Sequence, residues 1–335
     1  MEKKAIILSG IRPTGNLHLG NYFGALKNFV KLQETNECYF FIADYHMLTT
    51  HPNPKDLQGN ARQVIIEYLA AGLDPEKATL YLQSDLPETA ELYLFLNMNA
   101  YKGELERVTT FKEKARKQPD NINAGLLTYP TLMSADILIH KSHLVPVGKD
   151  QEQHLEMTRT FAKRFNRLYK VDYFPIPRAF NFTDDLVKIP GLDGSGKMGK
   201  SEGEGNAVFL GEDPKSIQKK VMRAVTDSGP AEMNQQKPEP IQNLFDLLKV
   251  VSKPEVIQDF DVQYNNCTIR YGDLKKKLAE DIIAFTKPFR DRIMELSADR
   301  DYITKVIEMG AEKARASGVS TVRDVREIIG FRKIY

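Results

Sequence analysis

The chain has 335 residues, 41% hydrophobic and 27% charged, a balance that fits a folded globular protein long enough for two domains. Lys and Arg number 47 against 45 Asp and Glu, so composition alone does not point to nucleic acid, and any basic surface has to be local. Two cysteines, Cys38 and Cys267, exclude a disulfide framework and a four-cysteine zinc or iron–sulfur site. No apolar run approaches the roughly 18 residues of a membrane span and the N-terminus lacks a signal-peptide pattern, so a cytoplasmic, membrane-free protein is expected.

Strand-like apolar runs fall at 5–9, 38–43, 78–83, 143–147 and about 174–180. Helical patterns fill the gaps at 19–34, 55–71, 89–117, 128–142 and 149–168. That alternation predicts an α/β fold, a Rossmann-like, mostly parallel sheet with helices on both faces. In such sheets ligands bind beyond the carboxyl ends of strands, where the strand order reverses. Cys38 sits within a strand-like run and reads as packing. After about residue 205 the strand signal fades, and helical patterns follow at 213–225, 241–250, 270–296, 298–316 and 320–330. The expected division is therefore a sheet domain over 1–205 and an all-helical domain over 206–335. The stretch 228–240 reads as a loop.

Two short motifs carry most of the chemistry. The first, Thr14-Gly-Asn-Leu-His18-Leu-Gly20-Asn21, follows the first strand and leads into a helix. Such a junction offers free backbone N–H groups and a positive dipole end, both suited to phosphate. Gly20 would let a base or ribose approach the backbone, and His18 can donate a hydrogen bond to a phosphate oxygen. The bland alternative is an ordinary helix start with a satisfied histidine. The second motif, Lys197-Met198-Gly199-Lys200-Ser201, lies in a run from Gly191 to Gly205 that holds six glycines in fifteen residues. Two lysines in so pliant a loop can close on a polyphosphate as mobile point charges; a solvated basic linker is the alternative.

A third feature is Asp136, set in the otherwise apolar helix pattern Met133-Ser-Ala-Asp-Ile-Leu-Ile139. A carboxylate there must be paired or functional, because burying it alone is costly. A salt bridge to Lys or Arg is the structural alternative. His46 follows a strand end and is open to either a structural or a ligand role.

The two motifs resemble the HIGH-like and KMSKS-like signatures of class I aminoacyl-tRNA synthetases. Three further stretches resemble bacterial-type tryptophanyl-tRNA synthetases: Gly103-Glu-Leu-Glu-Arg107 with Phe111-Lys-Glu-Lys114, Ala124-Gly-Leu-Leu-Thr-Tyr-Pro130, and Val145-Pro-Val-Gly-Lys-Asp-Gln151 followed by His154. The resemblance covers nearly the whole chain, densest from 6 to 225. It implies ATP-dependent ligation of L-tryptophan to tRNA(Trp) through tryptophanyl-adenylate, with Mg²⁺ carried by ATP, and a homodimer. His18 and Asn21 would face the triphosphate, and Lys114, Lys197 and Lys200 the departing pyrophosphate. Arg12, Pro13, Thr14, Gly20, Gly148, Lys149, Asp150 and Ile189 would surround ATP, with Met198, Gly199 and Ser201 of the loop. Asp136 would accept the indole N–H, which is a donor only. Leu8, Met133, Val145 and Val147 would form the apolar walls, though each alone reads as core. His46, Tyr129 and Gln151 would hold the ammonium and carboxylate of the amino acid.

The chain departs from the family pattern at Gly199, where Ser is usual, and at Arg12 and Lys149, where relatives often carry Gln and Glu. A tyrosyl enzyme of the same fold and a non-catalytic nucleotide- or RNA-binding paralogue are the alternatives. Basic clusters at Lys275–Lys277, Arg290/Arg292, Arg323/Arg326 and Arg332-Lys333 fall in the expected tRNA-binding domain, although solvated helix faces explain any one of them.

Overall fold

A computed structural model describes residues 4–148, 151–180, 189–194, 196–199, 203 and 205–331. Strands β1 (Ile6–Ile11), β2 (Glu37–Ile42), β3 (Ala78–Leu82), β4 (Leu144–Pro146) and β5 (Arg178–Phe180) form one five-stranded sheet in the order β3-β2-β1-β4-β5. Every neighbouring pair is parallel, as the alternation of elements requires. The order reverses between β1 and β4.

The helices that link the strands are α1 (Leu19–Asn21), α2 (Lys27–Leu32), α3 (Pro54–Ala70), α4 (Glu88–Asn97), α5 (Lys102–Glu106), α6 (Thr109–Lys117), α7 (Ala124–Leu127), α8 (Tyr129–Ile139) and α9 (Glu152–Tyr169). Beyond the sheet follow α10 (Pro214–Met222), α11 (Glu239–Val251), α12 (Pro254–Asn265), α13 (Tyr271–Ala298) and α14 (Arg300–Ile329). Period-two alternation along the strands splits the interior. Ile7, Phe40, Ile42 and Leu80 join Phe23, Phe29, Val64 and residues of α10–α13 in one core. Leu8, Tyr39, Phe41, Tyr81 and Val145 join residues of α4, α8, α9 and α14 in the other.

Residues 206–210 return to the first motif rather than leaving the sheet region. Leu19 N–H donates to the Val208 carbonyl at 2.9 Å, and Leu210 N–H to that of Leu17 at 2.9 Å. The aromatic pair Tyr22–Phe289 at 4.9 Å, with Phe23 stacked on Phe285 at 5.2 Å, docks α13 on the helix that follows the motif. The last helix, α14, runs along the open edge of β3. A Cβ on Gly310 would stand 1.8 Å from the Leu80 carbonyl oxygen, so only glycine permits this approach. Lys313 Nζ to the Pro75 carbonyl at 2.8 Å and Arg315 Nε to that of Asp85 at 2.8 Å fasten the same helix. An edge strand that would otherwise offer unpaired backbone groups is thereby covered.

The structure differs from the sequence expectation in five places. β1 runs through Ser9-Gly10 to Ile11, and its exit turn is Arg12–Gly15, closed by Thr14 N–H on the Arg12 carbonyl at 2.9 Å with Gly15 at φ +99°. The pattern over 19–34 is interrupted by a widened π-helical turn at Tyr22–Leu26. The pattern over 89–117 is three helices, because tertiary bonds to α9 pin the breaks: Arg164 holds Glu104 at 2.8 and 3.0 Å, and Gln153 accepts from Thr109 N–H at 3.0 Å. The patterns at 298–316 and 320–330 are the single helix α14. Gly318, in the gap between them, marks close packing on Leu86 rather than a break. Helix α12 was not expected: only Phe260 and Tyr264 are buried on it, too narrow a stripe to read from sequence.

Candidate active site

The reversal of strand order opens a cavity of about 480 Å³ beyond the ends of β1 and β4. It brings together Leu8 and Arg12 from β1 and its exit, His46, Lys114 of α6, and Tyr129, Met133 and Asp136 of α8. Val145, Val147, Gly148 and Gln151 complete it from the β4 side. Leu8 and Val145 share one sheet face, a position after the Ile7–Leu144 register pair, and thus stand side by side in one wall. Two residues on from Leu8, Gly10 leaves room for a neighbour's ring: a Cβ there would stand 2.3 Å from Phe41. Phe41 fills that space and joins the lining.

Asp136 is 2% exposed, yet no Lys or Arg answers it among the described ion pairs. His46 Nε2 meets Oδ2 at 2.7 Å and Gln83 Nε2 donates to Oδ1 at 2.6 Å. The Gln83 amide is oriented by its other end, since Oε1 accepts the Tyr45 backbone N–H at 3.1 Å and Nε2 must then face Asp136. Burial raises the Asp136 pKa from its ordinary value, while the His46 and Gln83 bonds oppose that rise. Each carboxylate oxygen uses one lone pair in these bonds and keeps another for a donor in the cavity. In place of the alternative salt bridge to Lys or Arg, an imidazole and an amide answer the carboxylate.

Above the carboxylate, the Tyr129 ring meets His46 edge-on at 4.5 Å, and burial raises the Tyr129 phenol pKa. Lys114 Nζ lies 4.0 Å from the centre of that ring. Burial, with help from the nearby Arg12 guanidinium, brings the Lys114 ammonium down to about 8. An anion between Lys114 and Arg12 would relieve that repulsion. Gln151 Oε1 meets His154 Nδ1 at 2.8 Å, and His154 Nε2 meets Thr110 Oγ1 at 2.7 Å. One buried histidine thus ties the start of α9 to the start of α6, the helix that carries Lys114.

The two signature motifs lie side by side across Gly20. A Cβ on Gly20 would stand 2.8 Å from His18 Nδ1 and 3.5 Å from the Met198 carbonyl oxygen. His18 N–H donates to Asn21 Oδ1 at 3.1 Å. The turn is held from behind by Glu67, 1% exposed, which accepts the Leu17 N–H at 2.5 Å and is itself bonded by Gln63 Nε2 at 2.8 Å. Met198 is buried, and its N–H donates to the Ile189 carbonyl at 2.8 Å. Asn206 Nδ2 reaches the carbonyls of Lys197 and Gly199, both at 3.3 Å.

Pro13, Thr14, His18, Gly20, Asn21, Ile189, Lys197, Met198 and Gly199 do not line the 480 Å³ cavity. Lys149, Asp150, Lys200 and Ser201 lie outside the described residues. Gln83, Glu67, Thr110, His154, Asn206 and the Gly10–Phe41 pair were not singled out from sequence. Of these only His154 stood in a quoted motif; the others are polar or aromatic residues with no spacing signal.

The basic clusters of the helical segment are largely met by neighbours. Lys277 pairs with Asp281 at 2.6 Å, Arg292 with Glu295 at 2.6 Å and Arg326 with Glu91 at 2.6 Å. Lys275 bonds Thr226, and Arg290 bonds the Glu212 carbonyl. Arg332 and Lys333 lie outside the described residues. No described helix is long and apolar enough to cross a membrane, and no described cluster of three or more His, Cys, Asp or Glu could hold a metal ion.

Comparison with known proteins gives the family of the chain. A family model for tRNA synthetases class I (W and Y) matches residues 1–287. A tryptophan--tRNA ligase of Porphyromonas gingivalis is 63% identical over 97% of this chain and 99% of its own length. The structure of tryptophanyl-tRNA synthetase from Campylobacter jejuni complexed with ADP and tryptophan is 34% identical, with a TM-score of 0.87, and covers 97% of this chain and 99% of that one. A tyrosyl-tRNA synthetase from Archaeoglobus fulgidus, at 20% identity and a TM-score of 0.65 over 88% of this chain and 91% of that one, shares the fold.

Proposed function

The chain belongs to the class I tRNA synthetases for tryptophan and tyrosine, and we propose from that premise that it ligates L-tryptophan to tRNA(Trp) with ATP. The observation that carries the choice of amino acid is Asp136: a buried acceptor, clamped by His46 and Gln83, in a cavity whose lining also includes Leu8, Met133, Val145 and Val147. An indole N–H is a donor that needs such an acceptor, and Leu8, Met133, Val145 and Val147 supply the walls that its rings require. Gln151, Tyr129 and His46 are left for the ammonium and carboxylate.

In the first step a tryptophan carboxylate oxygen attacks the α-phosphorus of ATP in line. The new C–O–P link forms as the bond to pyrophosphate breaks. No side-chain nucleophile takes part; positioning and charge stabilisation supply the rate. Arg12, Pro13, Thr14, Gly20, Gly148, Lys149, Asp150, Ile189 and the Lys197–Ser201 loop are assigned to ATP. His18 and Asn21 face the triphosphate, and Lys114, Lys197 and Lys200 the leaving pyrophosphate. Mg²⁺ belongs to the nucleotide substrate and neutralises phosphate charge. In the second step a ribose hydroxyl of the tRNA 3′-terminal adenosine attacks the adenylate carbonyl, and AMP leaves.

Residues 206–335 are assigned as the tRNA-binding segment, and the working unit as a homodimer. Transfer of labelled tryptophan to tRNA(Trp) that requires both ATP and Mg²⁺ supports this reading; tryptophan left uncharged under those conditions overturns it. A mass that stays monomeric at every concentration overturns the dimer.

A further inference from the structure

Beneath the cavity lies a second buried polar group that the reaction does not use. His140, at the C-terminal end of α8, is 2% exposed. Its Nε2 meets the Tyr81 hydroxyl at 2.9 Å, its Nδ1 meets Ser317 Oγ of α14 at 3.1 Å, and its ring stacks on Tyr39 at 4.0 Å and 15°. Burial lowers the His140 pKa to about 3, so the ring is neutral, with one nitrogen a donor and the other an acceptor. Both are matched, since a phenol and a serine hydroxyl can each take either role.

This group repeats the geometry of the Asp136 clamp one step away. Asp136 and His140 are four apart on one side of α8. Gln83 and Tyr81 are two apart where β3 ends. The bonds Gln83–Asp136 and Tyr81–His140 are therefore two parallel rungs between the same pair of elements. Between them α8 presents only Ile137, Leu138 and Ile139, all buried. Apolar contact is non-directional and lets a helix slide or roll on a strand; hydrogen bonds do not. A displacement of about 1 Å along the 2.6 Å Gln83–Asp136 bond would take it beyond hydrogen-bonding range. Ser317 adds a third element, because the adjoining Gly318 packs on Leu86 and Gly310 on the Leu80 backbone of β3 itself.

We propose that the Tyr81–His140–Ser317 layer is a positioning device for the specificity carboxylate. It sets the register of α8 on β3 at which Asp136 presents its remaining lone pairs to the cavity, and α14 of the helical segment braces that register. The proposal rests on the reading of Asp136 as the group that receives the indole N–H.

The test uses the full-length chain in amino-acid-dependent ATP–pyrophosphate exchange, with tryptophan and with its isostere 3-(3-benzothienyl)alanine, in which sulfur replaces the indole N–H. Tyr81→Phe and Ser317→Ala each remove one hydroxyl far from the reacting atoms. Each is expected to lower the kcat/KM preference for tryptophan over the isostere about fivefold or more. KM for ATP should not move, and Ser317→Thr, which restores a hydroxyl, should recover the preference. In an Asp136→Asn background neither substitution should change it further. A preference within twofold of wild type in both variants, with only thermal stability reduced, would overturn the proposal and leave the layer as plain scaffolding. Wild-type protein inert towards tryptophan would overturn the functional reading, and the proposal with it, before any variant is compared.

Discussion

Gly20 keeps open the space between the His18 ring and the Met198 carbonyl, although the first motif and the glycine-rich loop lie far apart in sequence. The space where a Gly20 side chain would stand is bounded by the His18 ring at 2.8 Å and the Met198 carbonyl at 3.5 Å. A methyl group at position 20 would have to push the histidine aside, while the Met198 carbonyl would meet it at ordinary van der Waals distance. Gly20→Ala is therefore expected to slow tryptophan activation at least tenfold while tryptophan affinity changes less than threefold, because misplacement by a fraction of an ångström weakens transition-state contacts first. Single-turnover adenylation at the wild-type rate in this variant would remove the contact from the mechanism.

Asp136→Asn tests the floor of the cavity. The amide is nearly isosteric but uncharged, and it presents a donor to Gln83 Nε2 or to His46 in place of an acceptor. Loss of a charge-assisted hydrogen bond predicts a rise in KM for tryptophan of roughly 10- to 100-fold. Selectivity against tyrosine and phenylalanine should fall with it. Wild-type selectivity in a folded variant would take Asp136 out of amino-acid recognition.

Lys114 gives the site a pH dependence with a definite sign. Its ammonium titrates near 8, held down by burial and by Arg12. Below that pH it carries the charge that attracts the triphosphate, and above it the charge is lost. The kcat/KM for ATP, which reports ionisation in the free enzyme, should therefore fall as pH rises from 7 to 9. Lys114→Arg keeps its charge throughout and should flatten that limb. An unchanged falling limb in the Arg variant would assign it to another group.

Gly310 carries a stability prediction. A Cβ there would meet the Leu80 carbonyl oxygen at 1.8 Å, so Gly310→Ala must lever α14 off the edge of β3. The expected cost is about 3 kcal/mol in urea unfolding. Gly272→Ala, where nothing lies within 4 Å of the added atom, is the control and should be neutral or slightly stabilising. Equal effects of the two substitutions would contradict the close docking of α14.

What was legible in the sequence followed from local periodicity and from isolated anomalies. The five strands declared themselves as apolar runs between helical patterns, and their parallel order followed from that alternation. Asp136 stood out because an acid in an apolar helix needs a reason. Its partners did not: Gln83 follows β3 in an unremarkable polar turn, and His46 could have been structural. The salt bridge to Lys or Arg that stood as the structural alternative for Asp136 is absent from the described contacts; an amide and an imidazole take its place. The breaks in 89–117 were hidden for a related reason. Arg164, Gln153 and His154, all on α9, impose them from a distance in sequence. Gly318 misled in the opposite sense, reading as a helix break where it serves close packing. Residues whose role is set by a remote partner leave no local pattern to read.

The most direct test of the whole account is ATP–pyrophosphate exchange in Mg²⁺ without tRNA, run separately with tryptophan and with tyrosine. The account predicts exchange with tryptophan and none above background with tyrosine. Exchange with tyrosine, or with neither amino acid, would contradict it.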